Sequence, residues 1–248
     1  MDSSPEAEAP REMAASARPR PLDWRALVLE LGVVFFGVTA AFLLNNWNEG
    51  RQQQHRAQKY LQGFAQDLAS DRQQLEQLLP GLDTKLKALD SLIFAPDEQA
   101  PWTPEQAFDV FRHIVANVVA VPTRGTYETL RNSGSLSLIS DYALRATLVE
   151  YYEQLPLVEN KVDLLQDWTL NRVMPFAIEH FDIVQSRVLD PEAVSGPRFR
   201  NLALSYRSLL QQQRDAYREL LDANRRTADA VAAALPRPQR SAETEHQE

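Results

Sequence analysis

Residues 24–49 read Trp-Arg-Ala-Leu-Val-Leu-Glu-Leu-Gly-Val-Val-Phe-Phe-Gly-Val-Thr-Ala-Ala-Phe-Leu-Leu-Asn-Asn-Trp-Asn-Glu, and this stretch decides how the rest of the chain is read. Between Ala26 and Leu44 the only formal charge is Glu30. As an α-helix, a run of that length crosses a hydrocarbon core of about 30 Å. Its many Leu, Val and Phe residues contribute on the order of 4 to 7 kcal/mol to insertion, against ~3 kcal/mol for one mid-bilayer charge. Glu30 lies about one turn inside the run, where snorkelling lowers that cost. Trp24 and Trp47 flank it, separated by roughly 35 Å of helix, so each indole can occupy one interface. The expectation is a transmembrane helix over residues 24–48. A cleaved signal peptide fits less well, because its apolar region is shorter and ends at small residues.

The flanking charges set the expected orientation. Arg11, Arg18, Arg20 and Arg25 precede the span, and Arg51, Arg56 and Lys59 follow it. The excess of basic residues is small and favours a cytoplasmic N-terminus. The absence of Cys is compatible with export of the long C-terminal part. At about 100° per residue, Glu30, Gly37, Ala41 and Asn48 fall within roughly 20° of one line along the helix. Gly37 and Ala41 would admit a second helix closely, and Glu30 would prefer protein to lipid. The alternative is a snorkelling Glu30 beside small residues of no special role.

Two stretches are familiar as sequence. The first is Glu30-Leu-Gly-Val-Val-Phe-Phe-Gly followed by Asn45-Asn46-Trp47-Asn48-Glu49. The second is Thr126-Tyr127-Glu128-Thr129-Leu130, then Ser133-Gly134, Leu136, Ile139, Leu144 and Tyr151-Tyr152. Together they resemble a widespread family of uncharacterised bacterial single-pass membrane proteins. In that family a Glu-led apolar helix ends in Asn-Asn-Trp-Asn-Glu, and a Tyr-x-x-Leu, Ser-Gly, Leu, Tyr-Tyr pattern follows. The resemblance implies placement in a bacterial inner membrane and a helical extramembrane domain, and it implies no known activity. Interfacial anchoring and a partner contact are both open readings of residues 45–49.

Elsewhere the chain reads as all-α. Few glycines and long stretches at helical spacing favour helices, and 44% apolar residues are enough for a real core. A proline-bearing tail over residues 1–23 and a polar one over 236–248 bracket an extramembrane helical domain at 49–235. Ala57, Tyr60, Leu61, Phe64, Leu68, Leu75 and Leu78 form a helical stripe that Pro80-Gly81 should break or kink. Leu82, Leu86, Leu89 and Ile93 resume it.

Thr103-Pro104-Glu105-Gln106 is a capping-box start for a helix with Phe108, Phe111, Ile114, Val115 and Val118 on its apolar face. A short helix at 127–130 should stop at a left-handed Gly134. Ser140 is the expected cap of the next helix, with Leu144, Leu148, Tyr151 and Leu155 inward. Residues 157–181 form a further amphipathic run kinked at Pro175, and a last long helix covers 198–234. The expected architecture is one N-terminal transmembrane helix followed by a bundle of long helices with a small helical insertion.

Chemistry is thinly represented. A net charge of −8 disfavours nucleic acid as a partner. Without Cys there is no disulfide, thiol nucleophile or thiolate zinc site. His55, His113, His180 and His246 are scattered, and adjacent residues in Glu179-His180-Phe181-Asp182 diverge on a helix. Arg124-Gly125-Thr126 is too short for a phosphate loop and lacks its Lys. No catalytic, metal or cofactor residue is expected. The membrane is the expected partner, with a second copy or another membrane protein pairing along the helix. The expected function is a membrane-anchored interaction or scaffold protein, with a small-molecule sensor and then a membrane-bound enzyme as alternatives. A large apolar cavity would favour the sensor, coupled titratable groups the enzyme, and a filled core the interaction module.

Overall fold

A computed structural model describes residues 24–94 and 101–236, apart from the side chains of Arg25, Ala26, Leu27 and Glu30. The expected tails, except Pro236, therefore lie outside the described residues. The chain divides into two units, Met1–Arg51 and Gln52–Glu248. The fold is all-α apart from one small hairpin.

The first helix, α1, spans Trp24–Ile93. Its first part carries one window long and apolar enough to cross a membrane, with none of it buried. Within the second unit α1 changes character. Leu61, Phe64, Leu68, Asp71, Leu75, Leu79, Leu82, Leu86, Leu89 and Ile93 are all buried. The steps of three and four are those of a coiled-coil seam, with two consecutive steps of four at Leu75–Leu79. Such a stutter locally unwinds the seam. Pro80 sits immediately after it inside the continuous helix, so of the expected break or kink the break does not occur. The Thr84 hydroxyl donates to the Pro80 carbonyl at 2.9 Å inside the continuing helix.

Two more long helices complete the seam. Helix α4, Tyr142–Trp168, buries Leu144, Leu148, Tyr151, Leu155, Val158, Val162 and Leu165. Helix α7, Pro197–Ala234, buries a row from Phe199 to Val231 at the same spacing, with Gln213, Asn224 and Thr227 among the apolar members. Ion pairs join Asp90 to Arg207, Asp83 to Arg214 and Arg218, and Glu76 to Arg225, so α7 runs antiparallel to this part of α1. Lys161 bonds Gln212 and the Trp168 indole bonds the Leu202 carbonyl, so α7 is antiparallel to α4 as well. These three helices enclose the main core.

Shorter elements fill the two connections. Between α1 and α4 lie α2, Pro104–Val115, and α3, Gly125–Asn132, followed by a 3-10 turn at Ser135–Leu138. The Thr103/Gln106 capping box starts α2 as expected. Its inward face is Ala107, Val110, Phe111 and Ile114, whereas Val115 and Val118 are exposed because the helix stops before the second of them. Gly134 has φ +66°, the left-handed position that ends α3. The cap of α4 is Asp141, not Ser140; its Oδ1 accepts from the Ala143 and Leu144 amides. Pro156 lies inside α4, which therefore continues where two runs were expected.

A π-helical turn at Thr169–Val173 follows α4 and leads into α5, Met174–His180, whose first turn holds Pro175. An antiparallel hairpin then pairs β1, Phe181–Asp182, with β2, Arg187–Val188. Phe181 and Asp182 thus leave the helix expected for them. Asp190 caps α6, Pro191–Ser195, which leads into α7. Phe108, Phe111, Phe181, Phe176, Phe199 and Trp102 form a continuous aromatic cluster that ties these elements to α7.

Candidate functional site

The proposed helix-pairing positions are helical in the first unit. A Cβ on Gly37 would meet no atom within 4 Å among the described residues. Ala41 and Asn48 are exposed, and the side chain of Glu30 lies outside the described residues. In the 45–49 motif, Asn45 Nδ2 donates to Glu49 Oε1 at 2.7 Å, one turn on. The Arg51 guanidinium lies 4.9 Å from the centre of the Trp47 ring. Asn46 and Asn48 project outward as exposed polar groups.

The residues of the second familiar stretch have mainly packing roles. Tyr127 stacks on Tyr152 with ring centres 4.4 Å apart, and Leu130 is fully buried. Tyr151 is buried and donates its hydroxyl to Asp71 Oδ2 at 2.8 Å. Around this pair lies a polar cluster that sequence reasoning missed. Asp71 Oδ1 accepts from the Thr123 amide at 2.8 Å. Asn224 Nδ2 donates to the Tyr151 hydroxyl at 3.2 Å and to the Leu68 carbonyl at 3.0 Å. The Tyr152 hydroxyl and Asn224 Oδ1 are buried with no partner among the described residues.

Burial raises the pKa of Asp71, and the bonds from Thr123 and Tyr151 partly oppose that rise. Burial and the Asp71 charge hold Tyr151 far above the usual phenol range. Spacing marks Asp71 alone as inward-facing, since it falls three residues after Leu68 and four before Leu75 on an otherwise apolar stripe. Enclosed on all sides, it sets the mutual register of α1, α4 and α7.

A second, half-buried polar contact lies further along α1. Lys85 Nζ donates to the Ala116 carbonyl at 2.5 Å and to the Tyr206 hydroxyl at 2.6 Å. Ala116 is the C-cap of α2, so this amine closes the end of that helix. Burial lowers the Lys85 pKa to about 8.

An open depression of about 680 Å³ lies between α1 and the α3 region. Arg56 and Lys59 line one wall, and Thr126, Thr129, Ser133 and Ser135 line the other. Gly63 holds the walls together, because a Cβ there would lie 2.9 Å from Thr126 Oγ1. Asp67, one turn on, accepts from the Thr126 amide at 3.3 Å.

Comparison with known families matches residues 30–203 to DUF6090, a family of unknown function. The chain belongs to DUF6090. The DUF6090 match covers well over half of the chain, and both familiar stretches lie inside it. The depression and the Asp71 cluster draw on matched residues too, with Asn224 the exception. No curated protein and no solved structure matches the chain. Among the described residues, no group of three or more His, Asp or Glu side chains is placed to hold a metal ion. His180 reaches Asp190 at 3.5 Å and Glu179 at 3.6 Å, as a pair of surface contacts.

Proposed function

We propose that this chain is a single-pass membrane protein that displays its helical domain as an interaction or scaffold module. The observation that carries the reading is the exposure of the apolar run on α1. Val28, Phe36, Phe42 and Leu44 are all more than half exposed, with Phe36 at 75% and Phe42 at 74%. A continuous apolar surface of this kind in water drives association, whereas in lipid it is the anchor. The basic residues around the span and the absence of Cys support a cytoplasmic N-terminus and a periplasmic domain. The resemblance in residues 30–49 supports the bacterial inner membrane. In this reading the protein is not an enzyme, and the Asp71 carboxylate and Tyr151 phenol, both with a pKa raised by burial, serve packing inside the bundle.

The test is fractionation of cells expressing the full chain, with the membrane pellet washed in alkaline carbonate. Retention in the pellet until detergent is added is the expected result, and quantitative release into the soluble fraction would overturn the reading. A reporter fused after Glu248 should be active only when exported. A second reading, a small-molecule sensor, is favoured by the depression between α1 and α3.

A further inference from the structure

We propose that the depression between α1 and the α3 region binds a phosphorylated polyol, either as a soluble ester or as a glycerol-phosphate lipid headgroup. Its two walls are chemically different. Arg56, Lys59 and Gly63 recur on one face of α1 at helical spacing. The two cations are exposed and have no ion-pair partner among the described residues. They supply donors and positive charge to one side of a hollow about 680 Å³ in size. The phosphate-loop reading fails at Arg124-Gly125-Thr126 for want of a Lys, and here the cations come from another helix instead.

The opposite wall offers acceptors. Thr129 Oγ1 donates to the Gly125 carbonyl at 2.7 Å, and Ser133 Oγ to the Leu130 carbonyl at 3.1 Å. Ser135 Oγ donates to the Ser133 carbonyl at 3.4 Å. The Thr129 and Ser133 hydroxyls thus donate to the backbone, and their oxygens keep the capacity to accept from a ligand hydroxyl. A bare phosphate would satisfy only the cationic wall. A ligand with a phosphate at one end and hydroxyl groups at the other satisfies both. Gly63 fixes the separation of the walls through its contact with Thr126, and the left-handed Gly134 turns the chain so that Ser133 and Ser135 face the same hollow. The soluble-ester form is independent of the membrane reading, whereas the headgroup form rests on it.

The test uses the full chain in a non-ionic, sugar-free detergent, with glycerol 3-phosphate, inorganic phosphate and glycerol as probes followed by saturation-transfer NMR and calorimetry. In a second arm the chain is placed in nanodiscs of mixed phosphatidylglycerol and phosphatidylcholine, and retained lipid is identified by native mass spectrometry. Arg56→Ala with Lys59→Ala should weaken glycerol 3-phosphate binding by about tenfold or more, which is ~1.4 kcal/mol. The control pair Lys87→Ala with Arg172→Ala, equal in charge, should bind as the unchanged protein does. Glycerol 3-phosphate should also bind more tightly than inorganic phosphate. Selective retention of phosphatidylglycerol that the Arg56/Lys59 variant loses assigns the headgroup, and binding of the soluble probe alone assigns the ester. Absence of binding in both arms, or equal binding by the Arg56/Lys59 variant and its control, would overturn the proposal. Because the soluble probe needs no bilayer, a failed fractionation test and a failed binding test are separately visible.

Discussion

Gly63→Ala should change sign with its neighbour. In an exposed helix interior, replacing Gly by Ala stabilises by ~0.8 to 1.0 kcal/mol. At Gly63 the new Cβ would lie 2.9 Å from Thr126 Oγ1 and 3.0 Å from Thr126 Cγ2, so the Thr126 side chain or one of the two elements must shift. Overpacking of this kind costs about 1 to 3 kcal/mol. The two effects oppose each other, and the net change is a destabilisation of roughly 0 to 2 kcal/mol.

Thr126→Ala removes both clashing atoms and leaves the Thr126 Cβ at an ordinary 3.6 Å. On that background Gly63→Ala should stabilise by about 1 kcal/mol, which makes the coupling between the sites ~1 to 3 kcal/mol. Gly81→Ala is the internal control, because a Cβ there meets nothing within 4 Å and only the helix-propensity gain remains. Urea unfolding of the full chain in non-ionic detergent, followed by far-ultraviolet circular dichroism and Trp fluorescence, measures all four proteins and the control. If Gly63→Ala stabilises equally with and without the Thr126 truncation, the close approach of α1 to α3 is wrong. The geometry of the depression would then fall with it.

Three further outcomes are expected. Gly134→Val should destabilise the domain by at least ~1 kcal/mol, since a β-branched residue is strained at φ +66°; an unchanged thermal transition would contradict this. Asp71 has a raised folded pKa, so between its ordinary value of 3.8 and that higher value the folded state holds the proton that the unfolded state releases. Its contribution to stability therefore falls as pH rises through that window, and Asp71→Asn should flatten this part of the stability-pH curve. The same slope in both proteins would remove Asp71 as its source. In membranes, Gly37→Ile should reduce helix association more than Gly32→Ile, which lies roughly 160° from the line of the Glu30, Gly37, Ala41 and Asn48 face, in a two-hybrid or crosslinking assay at matched expression. Equal association would reduce the Glu30, Gly37, Ala41 and Asn48 face to coincidence.

Local rules made much of this protein legible from its sequence. The capping box at Thr103 and Gln106 and the left-handed stop at Gly134 depend on a few neighbouring residues, and the sequence states them directly. The apolar faces of α1, α4 and α7 repeat often enough that single misread positions do not hide them. Proline weighs less here than its local rule suggests. Pro80 and Pro156 break no helix, because a long packed seam outweighs the loss of one backbone hydrogen bond. Strand signals were absent from a hairpin only two residues per strand long, whose Phe181 is held by packing against Phe111 and Phe199 and not by propensity.

What only the tertiary structure decided is which distant residues meet. Asp71 looked like one more solvated carboxylate until Tyr151, Asn224 and the Thr123 amide closed around it. Arg56 and Lys59 read only as flanking charges until the α3 region came to stand opposite them across Gly63. Composition and periodicity depend on neighbours a few residues apart, so they specify helices and their inward faces. A site is made by side chains far apart in sequence, and their meeting depends on how the packed helices register against one another.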